Sequence, residues 1–402
     1  MKKIILIIMD GLGDRPNKEL DGLTALQAAN RPNLNYLSSH GTTGLMSPVA
    51  SGIRAGSDTS HLSILGYDPH KYYTGRGPFE ALGVGLELKP GDIAFRANYA
   101  SIIDGKIVDR RAGRIQNTAE LSSALETEID GVKFIVKSGV EHRAAVVMRG
   151  PNLSDKVSET DPHSVDSSPM DTEPLAPEAN FTSAVINKFL ERSRKILASH
   201  PLNRKLISEG KLPANEIMLR GVGKMPAIPS FHGKYGMKAA CISGTPLIRG
   251  IAGLAGFDVL SVEGMNGRVD TNYENIISSA IKSLEKYDFI LINFKGTDIA
   301  GHDRKPWLKK QVIESVDSVI APLLKLLQDT LIVVTGDHST PCSFGDHTGD
   351  PVPIMFATDG IINDNVRTFD ELSVSDGYYK ITSGDIMPII LSYSDRSEKY
   401  GA

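Results

Sequence analysis

The chain has 402 residues, of which 41% are hydrophobic and 23% charged, and its net charge is −4. That length suits two or three domains with a large buried core, and the mild acidity argues against broad binding to nucleic acid or to anionic membranes. Cys241 and Cys342 stand in no CxxC pair and read as reduced thiols, and no apolar run approaches the roughly 18–20 residues of a membrane span, so a cytoplasmic protein is expected.

The chain begins MKKIILIIMDGLGD. Two lysines and an apolar run resemble an export signal, but Ile4–Met9 is shorter than the usual apolar core of one, and no small-residue cleavage site follows. A buried first strand with Asp10 at its carboxyl end is the better reading. Similar unbroken apolar runs recur as KAACI (238–242), FILINF (289–294), LIVVTG (331–336) and PIMFA (353–357), the pattern of strands buried on both faces of a parallel sheet. Amphipathic segments lie between several of them. TNYENIISSAIKSLEKYD (271–288) places Ile276, Ile277, Ala280, Ile281 and Leu284 on one helical face, and 312–328 does likewise. Strands alternating with helices indicate an α/β core whose ligands bind outside the carboxyl ends of the strands.

The middle of the chain differs. FRANYASIIDGKIVDRRAGRI (95–115) reads as strand–turn–strand around Asp104-Gly105, FIVKSG, AAVVMRG and NEIMLRG read as further strands, and 182–198 as a long helix. The stretch 154–180, rich in Pro, Ser and acids, reads as a solvated loop. We therefore expect a smaller α+β domain, 95–225, inserted into a mainly parallel α/β core formed by 1–94 and 226–402.

The chemistry concentrates near the carboxyl terminus. KGTDIAGH places Asp298 and His302 four apart, on one face if the turn is helical. Asp337 and His338 follow the strand LIVVTG directly, and His347 comes nine residues later in GDHTGDPVP. One Asp-His pair is weak evidence, but three clusters, two of them after predicted strands, point to a metal site. Carboxylate and imidazole donors suit Mn²⁺, Zn²⁺ or Fe²⁺ better than Ca²⁺. With Asp10 the set holds three carboxylates and three imidazoles, too many for one catalytic ion with an open position. Two ions, each with about three protein ligands, fit better, and such a pair can clamp both oxygens of a phosphoryl transfer. In AGSDTSHLSILGYDP, Ser57 stands at the start of a predicted helix, either as its N-cap or as a nucleophile beside an anion-binding helix start. A divalent ion would lower its hydroxyl pKa.

Taken together, MDGLGD, AGSDTSHLSILGYDP, YYTGRGPFEALGVGLELKPGDIAFRAN, KYGMKAACISGTPLIRGIA, GTDIAGHD, TGDHSTP and GDHTGDPVPI resemble, in order and over nearly the whole chain, the archaeal type of cofactor-independent phosphoglycerate mutases of the alkaline phosphatase superfamily. The resemblance implies an alkaline-phosphatase-like core and interconversion of 3- and 2-phosphoglycerate through a phosphoserine, without 2,3-bisphosphoglycerate as cofactor. It implies that Asp298, His302 and His347 hold one ion and that Asp10, Ser57, Asp337 and His338 hold the other, with Mn²⁺ favoured and Zn²⁺, Co²⁺ or Mg²⁺ as alternatives. Lys234, in the KYG block, would lie near Ser57 and the phosphate. The inserted domain is expected to read the substrate carboxylate and hydroxyls through arginine. Arg110, Arg111, Arg114 and Arg220 are offered, and Arg110 and Arg220 are favoured because each follows or ends a predicted strand. The expected partner is a small phosphorylated metabolite, with neither nucleic acid nor membrane; the sequence leaves a homo-oligomer open. A metal-dependent phosphatase or a phosphomutase for another metabolite is the alternative.

Overall fold

The computed structural model describes residues 1–399 and Gly401. The chain divides into two compact units, one formed by residues 1–72 with 228–402 and the other by 73–227. The fourteen strands, among the described residues, are β1 (Lys3–Met9), β2 (Gly41–Ser47), β3 (Ile93–Ile103), β4 (Lys106–Asp109), β5 (Thr127–Ile129), β6 (Val132–Ser138), β7 (Arg143–Arg149), β8 (Glu216–Lys224), β9 (Ala239–Ser243), β10 (Asp258–Val259), β11 (Phe289–Phe294), β12 (Thr330–Thr335), β13 (Val352–Ala357) and β14 (Tyr379–Thr382).

The first unit is built on one mixed eight-stranded sheet in the order β10-β9-β11-β1-β12-β13-β2-β14. From β10 to β12 every neighbouring pair is parallel. The first strand is buried on both faces. Ile5, Ile7 and Met9 share a core with Ile276, Ile277, Ile313 and Val316 from the helices Tyr273–Ser283 and Pro306–Val319, and the alternate residues Ile4, Leu6 and Ile8 are equally buried. A run buried on both sides has no reason to alternate, which is why β1, β11 and β12 read as unbroken apolar segments.

PIMFA departs from expectation. The strand β13 runs antiparallel to both of its neighbours, β12 and β2. An apolar run records burial but not direction. Its reversal matters for chemistry, because the segment that precedes β13 then lies at the same sheet edge as the carboxyl ends of β1, β11 and β12.

The second unit is an antiparallel sheet, β4-β3-β7-β6-β5, with β8 on the other side of β3. The turn at Asp104-Gly105 joins β3 and β4 as expected, both residues having positive φ. Helix Asn180–Ser199 buries Val185, Ile186, Phe189 and Leu190 against one sheet face, and Phe189 stacks on Phe134 with centroids 4.2 Å apart. The opposite face packs Ala94, Ala145 and Val147 against Ala81 of the helix Gly77–Gly83. That helix is why the unit begins at 73 rather than at 95: its apolar side belongs to this sheet. The stretch 154–180 is less solvated than expected, since Thr160, Asp161 and Thr172 are buried. Both cysteines are free and buried. Among the described residues no helix is long and apolar enough to cross a membrane.

Candidate active site

Three adjacent parallel strands, β11, β1 and β12, end at one edge of the sheet. Asp10 follows β1, Asp298 and His302 lie on the short helix Gly296–His302 after β11, and Asp337 and His338 follow β12. His347 precedes the reversed β13 and so reaches the same edge. Ser57 opens the helix Ser57–Ile64, whose N-cap is Gly56. The N-cap reading of Ser57 therefore fails: its Oγ leaves its own helix and lies 3.1 Å from His338 Nε2.

Two triads of donor atoms result. Asp298 Oδ1 is 3.5 Å from His302 Nε2 and 3.5 Å from His347 Nε2, and the two imidazole nitrogens are 3.3 Å apart. His338 Nε2 is 3.6 Å from Asp10 Oδ1 and 3.4 Å from Asp337 Oδ2. The ligand atoms of Asp10, Asp337 and His338 lie within 4.8 Å of one another, as do those of Asp298, His338 and His347. Asp346 forms a third such group with His302 and His347, but it is exposed and paired with Arg54 at 2.6 Å.

The donor chemistry fits cations. His347 Nδ1 faces the Ala55 carbonyl at 2.8 Å and His302 Nδ1 the Gly345 carbonyl at 3.2 Å. A carbonyl can only accept, so each ring is held with N–H on Nδ1 and Nε2 turned inward, the usual arrangement behind a metal-ligating histidine. Asp337 Oδ1 accepts from the Gly11 and His338 amides, whereas its buried Oδ2 has no hydrogen-bond partner. Burial, reinforced by His347, pushes the His338 pKa down to about 3, so this ring is neutral. Burial also works against charge on Asp298, yet Lys295 and the neighbouring imidazoles hold its carboxyl well below the usual range. Burial opposes protonation of His347 as well, but Asp298 outweighs it and raises the His347 pKa.

One lysine at the site escaped the sequence reading. Lys295 Nζ lies 2.7 Å from both Asp10 Oδ1 and Asp298 Oδ2, and 3.4 Å from Ser57 Oγ. Burial disfavours its charge, but Asp10 and Asp298 raise its pKa. Lys234, expected beside Ser57, takes a different position. Its ammonium donates to the Gly66 carbonyl and lies over the rings of Tyr67 and Tyr235, at 4.9 and 5.0 Å. The signal for Lys295 was its place directly after the strand FILINF and three residues before Asp298. His61 was also missed. Asn293 Nδ2 donates to Asp10 Oδ2 at 3.0 Å and faces His61 Nε2 at 3.3 Å. His61 Nδ1 therefore carries the hydrogen, and it meets the Ser57 carbonyl at 2.7 Å.

In the second unit, Arg110 and Arg220 converge on one buried carboxylate. Arg110 grips Asp161 at 3.0 and 2.8 Å, and Arg220 Nη1 lies 3.4 Å from it. Burial would raise the Asp161 pKa, but the Arg110 bond holds it low. Asp161 stands in TDPHS, so part of the acidic stretch acts as a brace for these arginines. Two further arginines were not singled out from the sequence. Arg96 on β3 directly opposes Arg220 on β8, and Arg143 on β7 opposes Asn98, two residues along β3. All three arginines thus share one sheet face. Glu80 Oε1 is 3.0 Å from Arg76 Nε and 3.9 Å from Arg96 Nε, and the latter atom is buried without a hydrogen-bond partner. Burial, then Arg76 and Arg143, depress the Arg96 pKa. Such crowding of like charge is the chemistry of an anion site.

Comparison with known proteins agrees with this picture. Residues 38–203 match the family model described as 2,3-bisphosphoglycerate-independent phosphoglycerate mutase, and residues 226–364 match that of type I phosphodiesterase / nucleotide pyrophosphatase. A Picrophilus torridus protein named 2,3-bisphosphoglycerate-independent phosphoglycerate mutase is 59% identical over 402 residues, covering all of both chains. Among solved structures, a Pyrococcus horikoshii protein superposes with a TM-score of 0.87 at 37% identity, covering 100% of this chain and 99% of its own. The cofactor-independent phosphoglycerate mutase from Thermoplasma acidophilum gives a TM-score of 0.72 at 46% identity, covering 98% of this chain and 100% of its own. With identity of that extent over its whole length, the chain belongs to the 2,3-bisphosphoglycerate-independent phosphoglycerate mutase family.

Proposed function

We propose that the chain interconverts 3-phosphoglycerate and 2-phosphoglycerate by passing the phosphoryl group through Ser57. The observation that carries this reading is the Ser57 hydroxyl, which stands at a helix start, 3.1 Å from His338 Nε2 and 3.4 Å from Lys295 Nζ. Two divalent ions, Mn²⁺ by preference, would be held by Asp298, His302 and His347 and by Asp10, Ser57, Asp337 and His338. When bound they would polarise the phosphoryl oxygens and favour loss of the Ser57 proton. An alkaline-phosphatase-like core supports the assignment, since the phosphodiesterase model spans 226–364 and thus includes five of these residues, Asp298, His302, Asp337, His338 and His347.

The residues of the chain then act as follows. The dipole of helix Ser57–Ile64, positive at its start, favours an anion beside the nucleophile. Ser57 Oγ forms a bond to phosphorus as the bond to the glycerate oxygen breaks, and that oxygen takes up a proton. Lys295, fixed between two carboxylates, favours negative charge on Oγ and on the transferring group, the role first expected of Lys234. The reverse transfer to the other glycerate hydroxyl completes isomerisation. The glycerate carboxylate is suited to bidentate contact with arginine, the chemistry that the 73–227 unit offers. Arg96, Arg143 and Arg220 on one sheet face, with Arg110 beside them through Asp161, supply that chemistry.

The test is an enolase-coupled mutase assay run beside a phosphate-release assay on the Mn²⁺-loaded protein with 3-phosphoglycerate. Formation of 2-phosphoglycerate faster than free phosphate supports the reading; faster release of phosphate makes the chain a phosphatase.

A further inference from the structure

One buried hydroxyl outside the ligand sets touches both of them. Thr340 Oγ1 lies 2.8 Å from Asp298 Oδ1 and 3.1 Å from His338 Nδ1. A threonine has one O–H, and an ionised carboxylate can only accept, so that hydrogen goes to Asp298. The contact with His338 is then a hydrogen bond only if Nδ1 carries the ring hydrogen and donates to Thr340 Oγ1. A neutral imidazole has one N–H, so Nε2 keeps its lone pair. Nε2 is the atom that faces Ser57, Asp10 and Asp337.

We propose that Thr340 is a positioning residue that couples the two metal sets, fixing the Asp298 carboxylate of one and the ring tautomer of His338 of the other with a single hydroxyl. This rests on the reading that both sets hold cations. The surrounding fold holds the hydroxyl in place. Gly11 has φ +64°, and a Cβ there would come within 2.6 Å of Thr340 Oγ1 and 2.8 Å of Asp298 Oδ1. On the other side, a Cβ at Gly301 would come within 2.8 Å of Thr340 Cγ2. Glycine at both positions leaves a slot that the threonine fills in one orientation. The backbone is held as well. The Thr340 amide donates to the Gly13 carbonyl at 3.0 Å. Fully buried Lys309 donates to the Gly13 carbonyl at 2.9 Å and to the Thr340 carbonyl at 3.0 Å. The loop that carries Asp10 and the loop that carries Asp337 and His338 are thereby tied to each other and, through the hydroxyl, to Asp298.

The test uses Thr340→Val, which keeps the shape and deletes the hydroxyl, and Thr340→Ser, which restores it. Mn²⁺ titration calorimetry should show both binding steps of Thr340→Val weakened by about 10–100-fold, with Thr340→Ser close to the wild-type chain. Unchanged binding at either step in Thr340→Val overturns the coupling. A wild-type chain that takes up no Mn²⁺ overturns the metal reading and this inference with it. Nitrogen-15 NMR of the histidines in the metal-free wild-type chain gives an independent readout that survives a misfolded variant. His338 should appear with hydrogen on Nδ1, and hydrogen on Nε2 overturns the proposal.

Discussion

The two units each bury a polar cluster at the edge or face of a sheet, and the clusters err in opposite directions. At the edge of β11, β1 and β12, the carboxylates of Asp10 and Asp298 already have a cation in Lys295; what is left over is a set of inward-facing lone pairs. On the face of β3, β7 and β8, arginines crowd one another, and Arg96 Nε has no hydrogen-bond partner. On the function proposed above, cations would complete the first cluster and an anion the second. Removing a charge should therefore have opposite effects on the stability of the two: loss of a buried partner strands its counter-charges, whereas loss of one crowded like charge relieves repulsion.

The largest effect is expected where the comparison meets the chemistry. Ser57→Ala should reduce mutase turnover to the background of the coupled assay while Mn²⁺ uptake continues through the remaining ligands; unchanged turnover removes Ser57 from the reaction. Next comes Lys295→Met. It strands Asp10 and Asp298 and should cost about 3–5 kcal/mol of unfolding free energy in the metal-free protein, read by urea denaturation. Added Mn²⁺ should recover part of the loss, because a ligand bound only to the native state adds stability. Lys234→Met, which leaves both carboxylates paired, should do far less, and equal losses from the two lysines would erase the distinction between them.

On the arginine face the sign reverses. Arg96→Met should leave the unliganded protein as stable as the wild-type chain or up to about 1 kcal/mol more so. The same change should raise the KM for 3-phosphoglycerate by about 10–100-fold, the worth of a lost charge-assisted bond. A destabilised variant with an unaltered KM would show Arg96 to be a structural strut. At neutral pH the smallest effect concerns His142, whose pKa burial and then Arg143 push down to about 3. The unfolded chain takes up a proton near pH 6.5 and the native chain does not. Stability from this group is thus complete above pH 6.5 and is lost as pH falls toward 3, with a limiting slope of about 1.4 kcal/mol per pH unit. Urea midpoints at pH 7 and pH 5 should converge in His142→Gln relative to the wild-type chain.

Much of the candidate site at the sheet edge was legible in the sequence because most of its acidic and histidine residues sit shortly after, or just before, an unbroken apolar run. Asp10 interrupts IILIIM, Asp337 and His338 end LIVVTG, and Asp298 and His302 share one face of a helical turn. What was not legible depends on direction and on contacts between distant segments. PIMFA is as apolar in a reversed strand as in a parallel one, so β13 was misdirected. GPFEALG is an amphipathic helix whichever sheet receives it, which moved the start of the second unit from 95 to 73. Lys295 stood in plain view in KGTDIAGH, yet only the register of β11 beside β1 brings it to Asp10. Arg96 was hidden for a related reason: nothing local says that β8 will place Arg220 opposite it. Thr340 looks like an ordinary loop residue until Asp298, 42 residues earlier, is folded against it.

The most direct test of the central claim is to quench the Mn²⁺-loaded protein during turnover of 3-phosphoglycerate labelled at phosphorus and to locate the label by peptide mass spectrometry. Label on Ser57, present only during turnover and absent from Ser57→Ala, is the expected result. A chain that forms 2-phosphoglycerate with no label on Ser57, or with label on another residue, would contradict it.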